Sequence, residues 1–322
     1  MRRHVLRRVF STIPVVFGVT LVTFLLMRAA AGTIVPGLGD TSQLTAEDID
    51  RLRRNLGLDR PIYVQYLSWL LDLLRGDLGV SMIDGTKISS LIWARLPNTL
   101  VLTGIALGLG GSLAIPIGIL AARHRGSTLD RALVAVSVLG FSVPQFWLGL
   151  VLVLVFSIQF RMWGLPALPT GGATSSVDGG DVLDRLAHLI LPVTVLAFFY
   201  ICVWSRFMRS SMIEVLTQEY IVTARAKGLS EPQTMYFHAL RNAVLPLITL
   251  LGLEFPGLVS GALVVEVVFS WPGIGSLIYQ RALQYDFTTV MGLTTVAALM
   301  VVVGNLIADF LYGVVDPRIR SA

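Results

Sequence analysis

The sequence predicts an all-α membrane protein with six transmembrane helices and both termini in the cytosol, and three observations carry that expectation. First, a mean hydropathy of +0.75, with 54% hydrophobic and 14% charged residues, lies outside the range of ordinary soluble domains. Second, the charges bracket six apolar windows, each close to the ~20 residues that a helix needs to cross a bilayer while satisfying its own backbone. Third, Lys and Arg favour one side. With the N-terminus inside, inner segments hold fourteen of them (Arg2, Arg3, Arg7, Arg8, Arg123, Arg125, Arg131, Arg206, Arg209, Arg225, Lys227, Arg241, Arg318 and Arg320), whereas the short outer loops hold Arg161, Arg185 and Arg281. That asymmetry sets orientation. The net charge of +5 and pI near 9.6 follow from it and do not point to nucleic acid.

The windows, in order, are Val9–Met27, Leu96–Ala122, Ala132–Phe160, Leu186–Ser205, Asn242–Val265 (interrupted by Glu254) and Phe287–Ala308. The basic start and Ala29-Ala30-Ala31 imitate a secretory signal. A signal core is about 7–15 residues, whereas this run has 19, so a retained helix over residues 1–31 is expected. Residues 32–95 form an outer segment. Thr45 can cap a helix running to Leu56 and ending at Gly57, and Pro61 starts a second over Ile62–Leu74, with Tyr63, Tyr66, Leu67, Leu70 and Leu74 near helical spacing. Such an aromatic helix lies at the interface or packs on its neighbours; contact with a substrate carrier is the competing reading. Ile88–Trp93 then leads into the second span. Residues 96–322 form the remaining five-helix core. Ser142-Val143-Pro144 should kink the third span, because proline removes a backbone bond. Gly and Pro over residues 161–185 make an irregular outer loop. The single cysteine, Cys202, reads as apolar filler within the fourth span.

The polar insert at 206–245, between the fourth and fifth spans, is too large for a turn. Thr217 is a candidate N-cap, Glu219 falls in the first turn, Arg225 and Lys227 in the last, and Gly228 supplies the left-handed stop, which predicts a helix over Gln218–Lys227. Ser230-Glu231-Pro232-Gln233 matches a capping box for a second helix running toward Pro246. A helix–glycine–helix element facing the cytosol can insert its first helix into a groove of a soluble partner, with Ala224 and Ala226 allowing close approach and Arg225 and Lys227 supplying charge. Composition alone equally allows an interfacial helix with snorkelling bases.

Several of these segments together resemble one family. Thr223-Ala224-Arg225-Ala226-Lys227-Gly228-Leu229-Ser230, His238-Ala239-Leu240-Arg241-Asn242 and Leu245-Pro246 resemble the coupling region of ABC importer permeases of the dipeptide/oligopeptide branch. So do Asn55–Tyr66, Leu74–Ser81, Ser142–Trp147, Val265–Gly275 and Asp316–Arg320, so the likeness extends over nearly the whole chain. Two departures stand out. Val222-Thr223-Ala224 occupies the places of Glu-Ala-Ala, and Pro246 follows Gly228 by 18 residues where the general pattern has 13. The resemblance implies a type I ABC importer permease fold in a bacterial cytoplasmic membrane. It also implies a second, homologous permease subunit, two ATP-binding subunits and an extracytoplasmic peptide-binding protein. Glu219, Thr223, Ala224, Arg225, Ala226, Lys227, Gly228 and Leu229 would then couple to the ATPases. Trp271, Gly273 and Gly275 would face the binding protein.

The chain carries no phosphate-cradling lysine of its own. Its two lysines, Lys87 and Lys227, precede Ile and Gly, so G-x-x-x-x-G-K-[ST] is absent, as are H-E-x-x-H and G-x-S-x-G. Catalytic residues, cofactor and metal are therefore not expected here; ATP and Mg belong on partner chains. Charges within spans are costly, ~2.5–3.5 kcal/mol on insertion scales, and mark passages or partners. Glu254, Ser260 and Glu266 on the fifth span are the candidate passage residues, among small and helix-breaking neighbours. A carboxylate such as Glu254 would suit a peptide amine; a polar partner on a neighbouring span is the alternative. Two other functions remain open: a nickel or glutathione permease of the same kind, and an ion-coupled secondary transporter, which would show paired broken helices in an inverted repeat.

Overall fold

The computed structural model describes residues 2–31, 60–175, 180–260 and 262–315, and over these the chain is built from helices. They are α1 (Arg2–Ala31), α2 (Ile62–Leu74), α3 (Ile88–Arg123), α4 (Thr128–Ser142), α5 (Gln145–Met162), α6 (Val182–Leu216), α7 (Glu219–Ala226), α8 (Glu231–Ala243), α9 (Leu245–Ser260), α10 (Leu263–Val268), α11 (Ile274–Leu283) and α12 (Phe287–Val315). Two stretches are wound as π-helix, Val153–Gln159 within α5 and Thr234–Ala239 within α8. The expected helix after Thr45 lies outside the described residues.

The centre of the molecule is the parallel pair α3 and α6. Small residues on α3 let the two backbones approach closely, as is usual where lipid supplies no hydrophobic drive. A Cβ on Gly110 would stand 2.5 Å from the Tyr200 Cβ, and one on Gly118 would stand 2.5 Å from the Met208 Cβ. Ala114, between them, is fully buried. Trp204 closes over Gly111, and Cys202, itself 2% exposed, lies against Gly140 of α4. One apolar cluster fills the end of this pair near Met208 and Met212, another the end near Leu191 and Phe269, and Tyr200 packs against both. Helix α12 packs on α9 and α1.

Among the described residues, four helices are long and apolar enough to cross a membrane: α3, α5, α6 and Phe287–Leu306 of α12. A fifth is counted if α8 and Leu245–Glu254, bent by 41°, are one span. At the N-terminus the apolar stretch Ile13–Ala29 falls among the shorter helices. Two expectations are corrected. The third window is two helices and not one kinked helix. Val143 is extended (φ −77°, ψ 124°) and Pro144 begins the next helix, because proline clashes with a helical residue before it. The apolar stretch at Ile88–Trp93 is not a separate element but the first two turns of α3, which continues through Pro97.

Helix α2 packs on α1, but of the stripe named from its spacing only Tyr66 is fully buried. Tyr66 is buried against Phe17 and Phe24 of α1, and its hydroxyl meets Thr20 Oγ1 at 3.0 Å. Tyr63, Leu67, Leu71 and Leu74 form the opposite, exposed stripe.

Candidate functional site

Helix α6 ends at Leu216, and its C-cap is Thr217, whose hydroxyl donates to the Glu214 carbonyl at 2.7 Å. The expected N-cap role of Thr217 is thereby corrected: the preceding helix claims this residue, and Gln218, extended at φ −73° and ψ 147°, precedes α7. The short helix covers Glu219–Ala226 and not Gln218–Lys227. Glu219 sits in its first turn and Arg225 in its last, matching the helix dipole. Gly228 adopts φ +84°, a conformation that side-chain-bearing residues avoid. Its N–H donates to the Arg225 carbonyl at 2.9 Å. Arg225 and Glu231 pair across the turn at 2.9 Å. The capping arm of the next helix is present: the Ser230 N–H donates to Gln233 Oε1 at 3.1 Å.

One face of α7 is bound to the chain itself. Ile221 is buried among Met208, Met212, Met235, Ala239 and Ala243, Ala224 is buried as well, and the Asn242 amide donates to the Tyr220 hydroxyl at 2.7 Å. Glu219, Thr223, Arg225, Ala226, Lys227 and Gly228 are exposed, with Leu229 half-buried. Ala224 is therefore not a surface of close approach but part of the platform beneath the helix. An ion pair that sequence reading missed braces this platform. Asp130, at the start of α4, accepts from Arg209 Nε and Nη2 at 2.6 and 2.8 Å, and from the Gly126 N–H at 2.8 Å. The Arg209 guanidinium holds the Asp130 carboxyl well below the usual range.

At the opposite end of α6, the loop 269–276 folds onto α3. The Trp271 indole N–H donates to the Asn98 carbonyl at 3.0 Å, and the Asn98 amide returns a bond to the Pro272 carbonyl at 3.1 Å. Glu266, fully buried, lies at the centre. Its carboxylate accepts from the Thr99 hydroxyl at 3.0 Å and from the Ser276 N–H at 2.9 Å, while Thr99 Oγ1 accepts from the Ile274 N–H at 2.8 Å. Gly273 is needed because the carboxylate occupies the space its Cβ would take, and Gly275 because a Cβ there would meet the Leu263 backbone and the same carboxylate. Glu266 is thus enclosed by its own loop, and Trp271, Gly273 and Gly275 are buried, which is the geometry of an ordered turn. Beside it Asp286 accepts from Ser81 Oγ at 2.6 Å and from Thr289 Oγ1 at 2.7 Å, and Arg281 pairs with Asp84 at 2.7 Å. Arg281 holds the Asp84 carboxyl below its ordinary value.

Glu254 is unlike these acids. It is half-buried on α9 and, among the described residues, has no hydrogen-bonding or ion-pair partner. The side chain of Ser260 lies outside the described residues. The three groups of expected site residues thus occupy three separate places: α7 at one end, Glu254 on α9, and Glu266 with the Trp271–Gly275 loop at the other end.

Comparison with known proteins places these features in context. Residues 114–321 match the family described as binding-protein-dependent transport system inner membrane component, and residues 1–103 match its N-terminal membrane component. The chain is 42% identical over 321 residues to the oligopeptide transport system permease protein AppB of Bacillus subtilis, covering 99% of this chain and 100% of that one. It is 36% identical to the dipeptide transport system permease protein DppB of Escherichia coli, covering 99% of each. Among solved structures, an inward-facing form of the MetNI methionine ABC transporter aligns with a TM-score of 0.57 at 18% identity, over 71% of this chain and 97% of that one. That likeness is one of fold.

Proposed function

This chain belongs to the family of binding-protein-dependent transport system inner membrane components, and from that premise we propose that it is a permease subunit of an ATP-driven ABC importer for di- or oligopeptides. The names of its full-length relatives support peptides over nickel or glutathione. In this reading six spans, α1 included, cross a bacterial cytoplasmic membrane with both termini inside. The chain pairs with a second, homologous permease. Two ATPase subunits bind ATP and Mg on the cytosolic side, and an extracytoplasmic binding protein delivers the peptide.

The observation that carries the proposal is the mounting of α7. An eight-residue helix presents Glu219, Thr223, Arg225, Ala226 and Lys227 outward, while Ile221 locks it to α6 and α8. A push on the exposed face is passed to α6 directly, and to α9 through α8. Closure of the ATPases would thus tilt these spans and switch the passage between sides. Glu254 belongs to the passage in this reading, whereas Glu266, Trp271, Gly273 and Gly275 build the outer scaffold.

Gly228→Pro tests it. Proline cannot adopt φ +84°, so the turn after α7 is lost while the apolar spans are untouched. Membrane insertion should be normal and ATP-dependent peptide uptake in reconstituted complex should fall at least tenfold. Normal uptake by this variant would remove the coupling role of α7.

A further inference from the structure

One turn of α6, from Met208 to Met212, is held by three other helices. Met208 stands against Gly118 of α3, where a Cβ would come within 2.5 Å of the Met208 Cβ. Met208 and Met212 also belong to the cluster that buries Ile221 of α7. Arg209, between them, grips Asp130 of α4 with Nε at 2.6 Å and Nη2 at 2.8 Å. That acid is 3% exposed and is itself fixed to the turn between α3 and α4. Its second oxygen accepts from the Gly126 N–H at 2.8 Å, and Ser127 Oγ, at the N-cap of α4, accepts from the Asp130 N–H at 3.2 Å. Further along the α4–α6 seam the contacts are weaker. Ser137 Oγ meets Ser205 Oγ at 3.3 Å, and Cys202 and Phe198 fill the space beside Gly140. Among the described residues, Asp130–Arg209 is the one ion pair across this seam.

A buried ion pair adds little net stability, because desolvation offsets the attraction. What a two-pronged guanidinium–carboxylate pair does fix is distance and direction. Helices in apolar contact alone slide past one another by small shear motions. With the pair in place, this turn of α6 cannot shift without carrying the turn between α3 and α4. We propose that Asp130 and Arg209 are positioning residues of the transport cycle: they pass the displacement of α7 from α6 into α4, so that the neighbouring ends of α3, α4 and α6 move as one body. This deepens the importer reading above and rests on it. In this role neither side chain touches the solute or an ATPase. A brace needed only for folding would instead be idle once the subunit is assembled.

The test is the amount of ATP hydrolysed per peptide taken up, measured in proteoliposomes holding the complete transporter, with trialanine as the probe. Asp130→Asn and Arg209→Gln should each lower uptake about tenfold while hydrolysis stays within about twofold of the wild type, because α7 still meets the ATPases. The double variant should be no worse than either single one, since both changes remove the same interaction. Arg209→Lys keeps the charge but gives up the two-pronged grip, and should lower uptake about threefold. It tests the proposal even where the neutral variants fail to assemble. An unchanged ratio of ATP to peptide in the variants that assemble, with or without a lower melting temperature, would overturn the joint and leave the importer reading intact. Losses that multiply in the double variant would do the same. A wild type without ATP-dependent uptake would instead overturn the importer reading, and this inference with it.

Discussion

Glu254 on α9 and Glu266 on α10 lie twelve residues apart, yet their surroundings are opposite. Around Glu266 the chain has built a shell: the Thr99 hydroxyl, the Ser276 N–H, and two glycines that give the carboxylate room. Around Glu254, among the described residues, no hydrogen bond or ion pair forms. The difference teaches that acids close in sequence can stand in unlike surroundings, and the number of donors aimed at their oxygens tells them apart. A carboxylate with its donors in place is a structural joint.

The contrast can be broken by stability measurements on the purified complex. Glu266→Ala leaves the Thr99 hydroxyl and the Ser276 N–H facing a void and should cost about 3 kcal/mol, whereas Glu254→Ala should cost less than about 0.5 kcal/mol. Equal melting temperatures for the two variants would refute the distinction. Next in size, Gly273→Ala drives a methyl group into the Glu266 carboxylate and should cost about 2 kcal/mol. Its counterpart Gly257→Ala, whose Cβ would meet only Glu254 Oε2 at 3.8 Å, should be neutral within about 0.5 kcal/mol. The smallest effect sharpens the picture: Thr99→Val keeps shape but removes one donor to Glu266 and one acceptor for Ile274, a loss of about 1–1.5 kcal/mol with peptide uptake per folded molecule unchanged.

Local features were legible in the sequence. The Gly228 stop and the Gln233 arm onto Ser230 depend on residues within three or four positions of each other, and both are where their spacing places them. Thr217 shows the limit of local reading. It stands between two helices, and the same hydroxyl can serve either end; α6 takes it because that helix runs unbroken to Leu216. Long-range joints left no trace in the sequence. Asp130 meets Arg209 across 79 positions, Thr99 meets Glu266 across 167, and Ser81 meets Asp286 across 205. The passage candidates were chosen because they were charged or small, which could not distinguish Glu254 from Glu266.

The seclusion of Cys202 has a practical consequence. As the chain's single cysteine, wedged against Gly140 at 2% exposure, it is shielded from thiol reagents in the folded protein. Probes can thus be attached to cysteines introduced at chosen surface positions, such as Lys227 on the hairpin, without first deleting the native thiol. Spin-label or fluorophore pairs placed this way would report movements of α7 in an otherwise unaltered transporter chain.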